Sequence, residues 1–143
     1  MILYAESSAV LAWLWGESAG AAVRSALEEA SLVLASDLTL LECARAFTRA
    51  AAAGSVPEGK AADARAQLAR AAEHWVRLAV DDTVVERAGR PFPAEPIRTL
   101  DAVHLATALV ARAAVPGGAV LSLDERVRRS AAALGFALLP EST

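Results

Sequence analysis

Five short apolar runs, at residues 2–5, 31–35, 74–80, 119–122 and 136–139, alternate along this chain with longer stretches of helical period. No pattern in the sequence restricts the fold more. Runs this short and, with His74 and Arg77 in the third as exceptions, this nearly continuously apolar are the mark of parallel strands buried on both faces, because antiparallel strands with one wet face alternate apolar and polar residues. Parallel neighbours need crossover connections, and the intervening segments have helix length. The expected class is therefore α/β, a three-layer α/β/α arrangement with a short, mostly parallel central sheet flanked by about seven helices. Residues 1–143 form a single domain, with no repeat, linker or low-complexity segment.

The punctuation supports this division. Ser7 or Ser8 is placed to cap a helix carrying Val10, Leu11, Leu14 and Trp15, which Gly16 ends. A second helix is expected over 18–30. Ser36 or Asp37 caps a third through Ala53, with Gly54 beyond its end. Ser55, Pro57 and Glu58 read as a capping-box start for a helix to Ala72. Asp81 or Asp82 opens the next, after which three prolines in 91–96 mark a loop. Thr99 is expected to cap a helix over 100–114, and Asp124 to open an arginine-rich one ending at Gly135.

Several broad classes are excluded by composition. A chain that is 55% hydrophobic and 22% charged is neither disordered nor collagen-like. No apolar run reaches the roughly 18 residues of a membrane span, and the first residues carry no basic leader. One cysteine, Cys43, rules out an internal disulfide and fits a reducing cytoplasm, so a cytoplasmic protein without membrane association is expected. The net charge of −3 gives no global basic field. All but one of the 14 basic residues are arginine, Lys60 being the exception, which suits bidentate phosphate contact but follows equally from coding bias.

Four acids stand where charge is normally costly: Glu6 at the end of the first strand, Glu42 inside an apolar helix, Asp101 near the start of another, and Asp124 just after the fourth strand. Each has an ordinary explanation when read alone. Asp101 and Asp124 are acceptable helix caps, Glu42 has Arg45 and Arg49 one turn away, and Glu6 can be a loop acid. Together they fall where an open parallel sheet binds ligands, beyond the carboxyl ends of its strands. Several like charges at one point need a cation between them, and carboxylates without a cysteine pair or histidine triad select Mg²⁺ or Mn²⁺ over Zn²⁺. Ions of that kind take phosphate oxygens as remaining ligands, which points to phosphoryl chemistry.

The segments LYAESSA at 3–9, SDLTLLE at 36–42 with Arg45, RTLDAVHLA at 98–106 and LSLD at 121–124, in that order, resemble the PIN-domain ribonucleases of the VapC type, toxins of bacterial toxin–antitoxin pairs. The likeness runs from Ile2 to Pro140 and implies a PIN-like fold. By that resemblance Glu6, Glu42, Asp101 and Asp124 stand at the family's catalytic acids. Glu6, Asp101 and Asp124 would hold Mg²⁺, with Mn²⁺ as a substitute, and Ser7 and Ser122 would orient carboxylates or waters. The resemblance further implies endonucleolytic cleavage of RNA, a homodimer, and a cognate antitoxin covering the site. Glu6 departs from the aspartate usual at the first position, which raises the alternative of a catalytically impaired PIN-fold binding protein.

Other residues carry less. Arg45, Arg49 and Arg98 are candidates for binding substrate phosphate, with pairing to neighbouring acids as the alternative. His104, one turn after Asp101, reads as a core histidine that can also touch the site. Arg126, Arg128 and Arg129 read as a solvated face. Trp13 and Trp15 point to different sides of their helix, so one is expected at an interface, near where the 55–72 helix would also meet a partner. A phospho-accepting receiver domain would need a lysine near the last strand, and Lys60 lies elsewhere. Without a Gly-x-Ser-x-Gly elbow or a base beside Cys43, nucleophilic hydrolysis is disfavoured.

Overall fold

A computed structural model describes residues 1–142. In chain order the elements are β1 (Ile2–Ala5), α1 (Ser7–Trp15), α2 (Gly20–Glu29), β2 (Leu32–Ser36), α3 (Asp37–Ala52), α4 (Glu58–Ala72), β3 (Val76–Leu78), α5 (Asp82–Ala88), α6 (Thr99–Ala114), β4 (Ala119–Leu121), α7 (Glu125–Ala133) and β5 (Ala137–Leu139). The strands form one parallel sheet in the order β3-β2-β1-β4-β5, with Ala5 opposite Leu121 and Tyr4 opposite Leu34. Seven helices cover its two faces, giving the expected three layers. Every strand pairing is parallel, where a mostly parallel sheet was expected.

The two-residue period of a strand divides the core in two. Leu3, Ala5 and Val33 join Val10, Val23 and Phe47 under α1–α4, while Tyr4 and Leu34 join Leu105, Val127 and Phe136 under α5–α7. Strands β2 and β4 flank β1, so the strand order reverses beside β1 and opens a crevice at its carboxyl end. Glu6 leaves β1 into that crevice, its backbone N–H bonded to the Leu121 carbonyl.

Several helix starts differ from expectation, and only the first of them has a side-chain oxygen that reaches the free N–H groups. Glu6 caps α1 by accepting from the Ser8 N–H, so Ser7 and Ser8 lie inside the helix. Ser55 donates back to the Ala50 carbonyl of α3, and Pro57 takes the position before α4. Arg98 precedes α6, making Thr99 its first helical residue. β3, at the sheet edge, is three residues long and mostly exposed.

The packing refines one surface reading, that of the half-buried tryptophans, and corrects another. Trp13 and Trp15 both pack on the β1–β2–α3 core cluster; Trp15 stands edge-on to Phe47 at 5.4 Å, with Lys60 over its ring. Arg128 is buried, while Arg126 and Arg129 are exposed. The Arg128 guanidinium donates to the carbonyls of Ser122, Leu139 and Pro140, tying the end of β4 to the chain beyond β5.

Candidate active site

Glu6 follows the central strand and is 5% exposed. Its carboxylate accepts from the Ser8 N–H and from the hydroxyls of Ser7, Ser8 and Ser122, the Ser7 and Ser122 bonds measuring 2.9 and 2.7 Å. Among the described residues no cationic side chain pairs with it. A buried carboxylate surrounded by hydroxyls retains acceptor capacity for a cation, so the donor set fits a hard metal ion.

Ser7 extends the network to α3, its Oγ lying 3.1 Å from Glu42 Oε1. The same oxygen lies 2.5 Å from His104 Nε2, whose other ring nitrogen meets the Tyr4 hydroxyl at 2.7 Å. Burial raises the Glu42 carboxyl, but the hydrogen bond from His104, with that of Ser7 and the charge of Arg49, outweighs it and holds the group below the usual carboxylate range. Burial of Tyr4 pushes its phenol well above the ordinary value, and nearby Glu6 and Glu42 add to the effect.

Ser8 links the other way. Its hydroxyl accepts from the N–H groups of Leu123 and Asp124, so the loop after β4 hangs on the start of α1. Asp124 caps α7 by accepting from the Arg126 and Val127 N–H groups, the ordinary role weighed for it. It also faces Arg98, whose Nη2 is 3.7 Å from Asp124 Oδ2 while its Nε is 3.0 Å from Asp101 Oδ2. The Asp101 hydrogen bond, then its charge, raises the Arg98 guanidinium above its usual value.

The four acids thus arrive as two pairs on one edge of the sheet. Ser7 joins Glu6 to Glu42, Arg98 joins Asp101 to Asp124, and the hydroxyls of Ser8 and Ser122 connect the pairs. A group of ligand atoms within 4.8 Å of one another comes from Glu6, Glu42 and His104, a combination different from the expected Glu6, Asp101 and Asp124. Arg45 and Arg49 line a groove of about 290 Å³ with Glu42, Leu41 and Leu100, beside the acids. Sequence reasoning underrated Ser8 and His104. For Ser8 the signal was its place in the second position after the first acid; for His104 it was the three-residue spacing from Asp101 on one helix face.

The PIN domain family model matches residues 3–133, so an acid cluster at the crevice of a parallel α/β sheet has its place in a known class: the chain belongs to the PIN-domain family. Within that family it is similar to Ribonuclease VapC46 of Mycobacterium tuberculosis, 34% identical over 140 residues that span 98% of each chain. Ribonuclease VapC35 of the same species is 36% identical over 58 residues, 41% of this chain and 43% of the relative. In fold, the chain resembles VapBC2 from Rickettsia felis, a crystal structure bound to a promoter DNA fragment, with a TM-score of 0.68, 10% identity and coverage of 96% and 97%. It also resembles M. tuberculosis VapC20, a Sarcin-Ricin loop cleaving toxin, with a TM-score of 0.62, 16% identity and coverage of 94% and 96%.

Proposed function

We propose that this chain is a divalent-metal-dependent endoribonuclease, the toxin half of a bacterial toxin–antitoxin pair, acting in the cytoplasm. The observation that carries the reading is the meeting of four acids from separate segments at one sheet edge, in a chain similar over nearly its full length to a VapC ribonuclease. Glu6, Asp101 and Asp124 would hold Mg²⁺, or Mn²⁺ in its place, with Glu42 completing the catalytic set. When bound, the ion supplies Lewis acidity toward a phosphoryl oxygen and acidifies a water.

The remaining work falls to the chain. Ser122 donates to Glu6, and Ser7 shares its one hydroxyl hydrogen between Glu6 and Glu42, which orients both carboxylates. Both hydrogen bonds to Glu42 fall on Oε1, which leaves Oε2 to orient a water and take its proton. Arg98 is well exposed and reaches across Asp101 and Asp124, so it can exchange those carboxylates for a substrate phosphate when a cation takes them over. Arg45 and Arg49 extend the same positive track along the groove. A homodimer belongs to this reading, as does a cognate antitoxin that covers the site; the similar fold in VapBC2 supports the antitoxin.

Replacement Asp101→Asn is expected to abolish Mn²⁺-stimulated RNA cleavage with the circular dichroism spectrum nearly unchanged. Undiminished cleavage by that variant would refute the assignment.

A further inference from the structure

Glu42 enters the site from α3, yet its carboxylate is held by a histidine on α6 and, behind that, a tyrosine on β1. His104 and Tyr4 are 2% and 4% exposed, and both ring nitrogens are engaged, Nδ1 by Tyr4 Oη at 2.7 Å and Nε2 by Glu42 Oε1 at 2.5 Å. An ionised carboxylate only accepts, which fixes a hydrogen on Nε2. At Nδ1 the Tyr4 hydroxyl is a donor close at hand, 2.7 Å away. Nε2 then carries the ring's own hydrogen and donates it to the carboxylate.

We infer that the Tyr4–His104 pair is a positioning device, which locks the imidazole as the Nε2–H tautomer, aims Glu42 at the site and bars His104 from ligating the metal. The aiming and barring rest on the metal-centre reading above; the tautomer does not. On distance alone Glu6, Glu42 and His104 compose a mixed oxygen–nitrogen site suited to Zn²⁺. A protonated Nε2 has no lone pair to give, so the ion meets oxygen only. Tyr4 thereby selects the class of metal without touching it.

Long-range ¹H–¹⁵N correlation spectra of the metal-free full chain at neutral pH test the tautomer, and with only 2 histidines the assignment is direct. The expected pattern for His104 is an unprotonated Nδ1 and a protonated Nε2; a proton on Nδ1, with or without one on Nε2, overturns the inference. Calorimetric Mn²⁺ titration tests the positioning. Tyr4→Phe should weaken binding roughly 10-fold. His104→Gln, whose amide still donates to Glu42, should keep most of the native affinity, and adding Tyr4→Phe to it should change nothing further. Equal losses from Tyr4→Phe in both backgrounds would assign Tyr4 to general packing and overturn the positioning role, as would nitrogen coupling in the spin-echo spectrum of bound Mn²⁺. An unaltered chain that shows the assigned tautomer but binds no Mn²⁺ sinks the metal-centre reading and the aiming role, leaving the tautomer intact. If Tyr4→Phe does not fold, the spectra of the unaltered chain still decide.

Discussion

At Arg128 one guanidinium satisfies three carbonyls, at 2.9 Å to Ser122, 3.3 Å to Leu139 and 3.0 Å to Pro140. Arg128→Leu would leave those oxygens without the donor, and each buried unpaired acceptor costs about 1–3 kcal/mol. Urea unfolding should show a loss of about 3 kcal/mol. A loss under about 1 kcal/mol would mean that water replaces the guanidinium. Its burial was half legible: Val127 and Ala131 mark the inner stripe of α7, but nothing local told that their neighbour would find carbonyls and not solvent. Cys43 is simpler. Full burial, then the charges of Glu6 and Glu42, push its thiol up to about 12. Thiol reagents at mildly alkaline pH should label it only after unfolding; fast labelling of the native chain would show α3 opening locally. For Arg98→Ala the expected outcome is split, with Mn²⁺ bound more tightly because Asp101 and Asp124 lose their internal partner, and RNA bound more weakly. Parallel losses of both affinities would place Arg98 in the framework of the site.

Among the elements, α1 and α2 meet more closely than side chains would allow. A Cβ at Gly20 would stand 2.7 Å from the Ala12 carbonyl oxygen, a backbone atom with nowhere to yield. Gly20→Ala should therefore cost about 1–3 kcal/mol by overpacking, against the usual gain of alanine in a helix. An unchanged denaturation midpoint would mean that the two helices separate freely. The helices and strands themselves were readable from periodicity, because a strand buried on both faces cannot tolerate polar interruptions. Their caps were less so. Ser8 looks like a helix opener in sequence, yet in the fold it is the acceptor for two N–H groups of a loop 115 and 116 residues away.

For the whole molecule, a cation bound to the folded state alone adds stability by mass action, about 2.7 kcal/mol at 100 times its dissociation constant. Thermal melting should therefore rise by several degrees when Mn²⁺ is added to chelator-treated protein. Asp101→Asn should remove most of that rise. The same increment in native and variant chains would move the ion away from the acid cluster. No helix among the described residues is long and apolar enough to cross a membrane.

The alternation of five strands with seven helices follows from local pattern, so fold class and the four acids were accessible before any coordinates. Ordered motifs carried the family resemblance as well. What tertiary structure alone decided is pairing. Glu42 takes His104 from 62 residues away, Glu6 takes Ser122 from 116, and Arg98 divides itself between Asp101 and Asp124. Such partners are chosen by hydrogen-bond geometry at ångström scale, which depends on sheet register and helix placement and leaves no periodic trace in the chain.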